Sequence, residues 1–191
     1  MGATSSNCKP TLGFLTVVEH SQYGLFGGYL ILNTAGRPLE FHCTAPIKPN
    51  RAQEILYGPT LQSFLYGEQI GQTLISQGSA PPLLVCTDRE PALAAREHVA
   101  SPVVLVLPSQ AANEPEDEES TRFFRIDGPH RDGPRLVTFQ LGRNRLALPE
   151  RADEDRRLIG ERLADLAESF DLAEPFQRIR EAIEEAQQAV R

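Results

Sequence analysis

The sequence is poor in cysteine, in long apolar runs and in positive charge, and each shortage excludes a class of protein. Its 191 residues contain three cysteines, Cys8, Cys43 and Cys86, an odd number without any CxxC pair. Disulfide-stapled secreted domains carry an even set, and structural zinc sites place two ligands within a few residues of each other. We therefore expect a cytoplasmic protein that holds neither a metal nor a cofactor.

Membranes and nucleic acids are both disfavoured as partners. No apolar run approaches the length of a membrane-spanning helix, and no basic segment followed by an apolar one opens the chain. The formal net charge is -7, from 26 acidic and 19 basic residues. Broad binding of nucleic acid needs a positive face that neutralises phosphates. The charge balance therefore argues against a nucleic-acid partner.

Fingerprints of ligand binding are weak. The segment from Gly24 to Gly28 is glycine-rich, but it lacks the Lys-Ser/Thr end of a P-loop and leads into a predicted strand. Its glycines indicate a bend or a bulge. Residues 1–6 fit the loose myristoylation pattern M-G-x-x-x-[ST], with Cys8 near enough for a second acyl chain. A disordered lead over residues 1–11 is the interpretation that we favour.

Apolar periodicity predicts an α+β protein with a mixed or antiparallel sheet and flanking helices. The predicted strands cover residues 12–18, 25–33, 38–44, 83–86 and 103–107. A glycine-containing turn at 34–37 joins the second and third strands into a β-hairpin. The last two strands are apolar on both faces and flank a predicted helix, which is typical of a parallel βαβ unit. Asp88 is the expected N-cap of that helix.

Side chains alternate along the predicted strand at 38–44. Leu39, Phe41 and Cys43 share one face, while Glu40 and His42 share the other. The apolar face is expected to be the core face. Cys43 is then a buried and unreactive thiol, because a free cysteine in an apolar run is usually a small core residue.

Two helices are predicted before the fourth strand. Asn50 is the expected N-cap of the first helix, which ends at Tyr57, and the second runs over about residues 60–77. Gly67 and Gly71 lie inside the second helix, where each glycine costs about 1 kcal/mol relative to alanine. Two glycines four residues apart indicate that another backbone packs closely here.

The amino-acid composition changes at two places in the rest of the chain. The acidic segment 109–120 predicts a mobile loop within the α+β domain at 12–149. Residues 123–126 and 136–141 are predicted to pair as antiparallel strands. The charge-dense pattern of 150–191 predicts a C-terminal helical hairpin.

The second C-terminal helix carries an apolar seam. Its residues recur at spacings of three and four, as a/d positions do: Phe176, Ile179, Ile183 and Val190. Helices of this length are marginal without tertiary burial. The seam must therefore pack on the sheet of the same chain, on a protein partner or on a second copy, and we expect these four residues to form an interaction surface.

Four polar residues are candidates for acid–base chemistry at the edge of the sheet. Glu19 and His20 end the first strand, His42 lies on the polar face of the hairpin, and Asp88 follows an apolar strand. Open α/β sheets bind ligands where such strands end. Converging side chains would allow general acid–base catalysis. The alternative is a helix cap at Asp88 and two histidines on the surface.

Two functional hypotheses remain. We favour a non-catalytic cytoplasmic interaction or regulatory module that acts through the C-terminal helical hairpin and the sheet surface, because the chain carries no catalytic motif of known mechanics. The alternative is a small hydrolase or nuclease-like enzyme that uses Glu19, His20, His42 and Asp88. A cleft that gathers these four residues would favour the enzyme, and their dispersal would favour the module.

Overall fold

A seven-stranded mixed sheet forms the centre of the molecule, in a computed structural model that describes residues 10–108, 135–167 and 170–188. The strands lie side by side in the order β3-β2-β1-β4-β5-β7-β6. Their bounds are Thr11–His20 (β1), Gly24–Asn33 (β2), Pro38–Cys43 (β3), Leu84–Thr87 (β4), Val103–Leu107 (β5), Leu136–Leu141 (β6) and Asn144–Pro149 (β7). The predicted α+β class with a mixed sheet is confirmed.

Parallel strands occupy the middle of the sheet. β1 pairs in parallel with β4, and β4 with β5, so the predicted parallel unit is confirmed. The meander β1-β2-β3 extends the sheet on one side by antiparallel pairing. On the other side β7 pairs antiparallel with both β5 and β6. β3 and β6 are therefore the two outermost of these strands.

β7 was not among the predicted strands. It follows β6 after a two-residue turn that contains Gly142, whose φ of 56° suits glycine. The polar pair Asn144 and Arg145 interrupts the apolar pattern at its start, which hides the strand from periodicity. The predicted partner of β6, residues 123–126, lies outside the described residues, as does the predicted mobile loop at 109–120.

The helices are shorter and more varied than predicted before β4. The α-helices are α1 (Arg51–Tyr57), α2 (Leu61–Ser63), α3 (Thr73–Gln77), α4 (Asp153–Ala167) and α5 (Glu174–Gln188). A π-helix, Phe64–Gln72, joins α2 to α3. The helix predicted over residues 60–77 therefore consists of three consecutive segments, α, π and α. Asn50 caps α1 as expected, since its side chain accepts a hydrogen bond from the Gln53 amide.

The sheet buries a different layer on each face. On one, here called the α5 face, α4 and α5 pack over residues such as Phe14, Leu30 and Leu148. On the other, here called the π-helix face, the π-helix and the 3-10 helix Glu90–Glu97 cover residues such as Leu15 and Val85. Within the described ranges, no helix combines the length and apolar character needed to cross a membrane.

Candidate functional site

Asp88 lies where β4 ends, and its carboxylate ties three elements together. Its Oδ1 accepts a 2.6 Å hydrogen bond from the Thr16 hydroxyl of β1. Its Oδ2 pairs with the Arg180 guanidinium of α5. The residue that caps the following 3-10 helix is Arg89, without a side-chain cap bond. The expectation that Asp88 is a helix N-cap is therefore wrong, because both carboxylate oxygens serve contacts distant in sequence.

Glu19 meets the π-helix on the opposite face of the sheet. Its carboxylate accepts a hydrogen bond from the hydroxyl of Tyr66, a buried residue of that helix. Burial and then this hydrogen bond raise the pKa of Tyr66 well above its ordinary value, and the charge of Asp88 raises it slightly further. Glu19 and Asp88 therefore have different hydrogen-bond partners. The tyrosine is held in its protonated form and is no base.

The two histidines lie away from Asp88. His20 is four residues beyond Thr16 on β1, about 13 Å along the strand. Its Nδ1 accepts from the Gln22 amide at 3.1 Å and closes the β1–β2 turn. His42 lies on β3, separated from β4 by two strands and therefore by about 14 Å across the sheet.

His42 has a carboxylate partner of its own. Its Nε2 lies 3.1 Å from Glu40 Oε2, two residues away on the same face of β3. The Glu40 carboxylate also accepts from the Ser79 amide at 3.1 Å. The Ser79 and His42 hydrogen bonds lower the pKa of Glu40, which keeps this carboxylate ionised. Each of the four predicted acid–base residues therefore has its own hydrogen-bond partners, and the four do not form one site.

A cleft of about 440 Å³ opens at the carboxyl end of β5, beside the β6–β7 turn. Polar side chains on its walls include Gln140, Arg143, Arg145 and Asp171. None of the four predicted acid–base residues lines it. In the described parts of the chain, no three histidine, cysteine or acidic side chains cluster closely enough to hold a metal ion.

The apolar seam of α5 faces the chain's own sheet. Phe176, Ile179 and Ile183 are each 2% exposed or less. They pack over β1 and β2, where Gly28 leaves room for Ile179 and Ile183. Val190 lies outside the described residues. Of the surfaces considered for this seam, the sheet of the same chain is the one that these three residues contact.

The face of β3 that was expected to enter the core is instead exposed. Leu39 is 52% exposed, Phe41 is 40% exposed, and Cys43 is exposed as well. On the other face Glu40 and His42 are half-buried. The prediction of a buried Cys43 is wrong, because α5 packs mainly over β1 and β2 and this face of β3 stays exposed.

Exposure makes the reactivity of the two described thiols differ sharply. We expect maleimide to modify Cys43 rapidly in the folded protein at low concentration and to leave Cys86 unmodified. Cys86 is fully buried, and burial raises the pKa of its thiol far above the ordinary value. Peptide mapping by mass spectrometry measures both sites, with the urea-unfolded chain as the control. Equal protection of both thiols would contradict the described position of β3.

Comparison with known proteins gives no family for this chain. No protein-family model matches it, and no curated protein matches it. Its function has to follow from its own contacts. One such feature is the exposed apolar face of the outermost strand β3, which, unlike the exposed Ile55 and Leu56 of α1, lies on a strand at the edge of the sheet.

Proposed function

We propose that the chain is a non-catalytic interaction or regulatory module that binds an extended segment of a protein along β3. The observation that carries the proposal is the exposure of Leu39 and Phe41 on a strand at the rim of the sheet. Rim strands offer unpaired backbone N–H and C=O groups to other chains. Apolar side chains beside those groups add contact area, so the same strand supplies both hydrogen bonds and apolar contacts.

The contrast with β6 strengthens this proposal. The aromatic residue of β6, Phe139, is partly buried against the core and has the Arg156 guanidinium 5.5 Å above its ring centroid. Charged side chains that cover a rim strand are a usual defence against unwanted pairing. Phe41 of β3 keeps 40% of its surface open. An aromatic side chain left open on a pairing edge is typical of a binding surface.

The C-terminal helices contribute to the proposed module by supporting the sheet. α5 lies over β1 and β2 and is fixed there by its buried seam. The Arg180–Asp88 ion pair ties the same helix to the end of β4. A rigid sheet has little conformational entropy of its own to lose when a strand binds to it. We place the module in the cytoplasm, because an exposed Cys43 without a disulfide suits a reducing compartment.

A peptide-binding experiment tests the proposal. The probe is a set of peptides selected from a random display library on the immobilised wild-type chain. We expect the selected peptides to alternate apolar and polar residues, and to lose at least about tenfold in affinity for Phe41→Lys because an ammonium group replaces the exposed ring. Bound peptide should also slow the alkylation of Cys43, the neighbouring exposed thiol.

The matched control is Leu56→Lys. Leu56 lies on α1 and is 81% exposed, so the substitution places the same ammonium group at a more exposed apolar side chain of a different element. Peptide affinity should stay at the wild-type value. Thermal melts establish that both variants are folded. If Phe41→Lys binds the peptides as tightly as the wild type does, β3 is not the binding edge and the proposal is wrong.

A further inference from the structure

We infer that the segment bound along β3 is β3 of a second copy of this chain, paired antiparallel about a two-fold axis at Phe41. This inference rests on the proposed function, because it names the partner of the same edge. Three properties of the strand support it: the direction of its free backbone groups, the order of its side chains and its charge pattern.

The backbone of β3 presents the right groups to its open side. The Thr44 amide donates to the Gly27 carbonyl at 3.0 Å, and the β2–β3 register continues from that pair along the strand. Hydrogen-bonded and non-hydrogen-bonded residues alternate in an antiparallel ladder. His42 and Glu40 therefore direct their backbone groups toward β2. Phe41 and Cys43 direct theirs outward, so Phe41 can exchange two hydrogen bonds with Phe41 of the second copy.

In this register the side chains of one β3 are complementary to those of the other. With Phe41 opposite Phe41, Glu40 of each copy stands opposite His42 of the other on the π-helix face. The two phenyl rings then meet on the α5 face, where each is now 40% exposed. Opposite charges and aromatic pairs across strands each contribute about 0.2–1 kcal/mol.

The neighbouring registers are less favourable, so the two strands are expected to pair in one register. A shift by one residue would bring Phe41 to the opposite face from its counterpart. A shift by two in one direction places Glu40 opposite Glu40, and these carboxylates are kept ionised by their hydrogen bonds to Ser79 and His42. A shift by two in the other direction places His42 opposite His42. Like charges directly opposite each other are destabilising, and both of these shifts lose the two Glu40–His42 pairs, so the strand favours the register at Phe41.

The contact is small, and the expected dimer is correspondingly weak. β3 has six residues, and a single strand pair buries less than the roughly 1,600 Å² of a standard interface. We expect the monomer to predominate in dilute solution and the dimer to form as concentration rises. Sedimentation equilibrium of the full chain over a hundredfold concentration range should show the mean mass rising toward twice the monomer mass. Phe41→Lys should stay monomeric, whereas Leu56→Lys should behave as the wild type.

Disulfide trapping tests the register. The chain carries Leu39→Cys with Cys8 replaced by serine, so that the new thiol stands opposite the native, exposed Cys43 of the second copy and Phe41 is kept. The Cα atoms of directly opposed residues lie about 4.5–5.5 Å apart, within the range that a disulfide spans. We expect oxidation to link two copies at least about tenfold faster than in a chain with Leu56→Cys in the same background. The control reports collisional cross-linking at an open site on α1.

The outcomes separate this inference from the proposed function. A wild-type chain that stays monomeric at every concentration, or a Leu39→Cys chain that cross-links no faster than the control, overturns the inference. If display-selected peptides still bind and lose affinity with Phe41→Lys, the proposed function stands and the partner is a different protein. If neither peptides nor a second copy bind at β3, both are wrong.

Discussion

Replacing Ile179 by aspartate is expected to lower the free energy of unfolding by about 4 kcal/mol or more, enough to unfold much of the chain at 25 °C. Ile179 is 1% exposed and packs where Gly28 of β2 leaves space beneath α5. A carboxylate at this position would lie in the apolar cluster that contains Phe14, Phe176 and Ile183. The loss combines the burial energy of the isoleucine with the cost of a buried charge. Urea denaturation followed by circular dichroism measures it.

Glu184→Asp is the matched control for this change. Residue 184 lies on the exposed side of the same helix, so the control introduces the same side chain where water solvates it. Its expected cost is that of helix propensity alone, below about 0.7 kcal/mol. If Ile179→Asp melts at the temperature of the control, the seam is open to solvent and α5 does not pack on the sheet as described.

This experiment also tests which surface buries the α5 seam, a question that the sequence left open between the sheet of the same chain, a protein partner and a second copy. Apolar spacing identified Phe176, Ile179 and Ile183 as residues that need burial, and all three are buried. Spacing along a helix carries no information about which surface buries it. Gly28 on β2 marks the receiving surface, since a Cβ there would overlap the Ile179 side chain of α5. The role of this glycine is visible only once β2 and α5 are known to meet.

The strands with a continuous apolar pattern were predicted correctly from the sequence. β1, β2, β4 and β5 are buried along most of their length, and each was predicted within a few residues of its bounds. The exposed face of β3 was not predicted. The alternation of side chains along β3 places Phe41 and Cys43 on one face and Glu40 and His42 on the other. Which of the two faces is buried depends on how far the helix layers extend across the sheet. That distance is set by tertiary packing rather than by the strand itself.

Asp88 shows the same limit at the level of a single side chain. Its position before a helix favours an N-cap, which is a local role. The observed partners, Thr16 and Arg180, are 72 and 92 residues away in sequence. No local pattern identifies such partners. The carboxylate therefore acts as a tie between β1, β4 and α5, and its desolvated hydrogen bonds stabilise the fold at the place where a catalytic acid had been considered.

The two interior glycines of the π-helix were predicted to permit close packing of another backbone, and Gly67 does so. A Cβ on Gly67 would lie 2.6 Å from Ala94 Cβ and 2.8 Å from the Ala94 carbonyl carbon and the Ala95 nitrogen. Ala94 and Ala95 belong to the 3-10 helix Glu90–Glu97. Because two of the nearest atoms are backbone, no side-chain rotation relieves the overlap. The π-helix and the 3-10 helix would have to separate.

Gly67→Ala is therefore expected to destabilise the chain by about 3 kcal/mol, although alanine is the better helix former. The paired variant is Gly160→Ala in α4, where a Cβ would meet nothing within 4 Å. There the same substitution should stabilise the chain by about 1 kcal/mol, because alanine loses less conformational freedom than glycine in a helix. Urea denaturation of both variants gives the two changes in free energy. Opposite signs are required: a stabilised Gly67→Ala chain would mean that the two helices do not pack closely at residues 94 and 95.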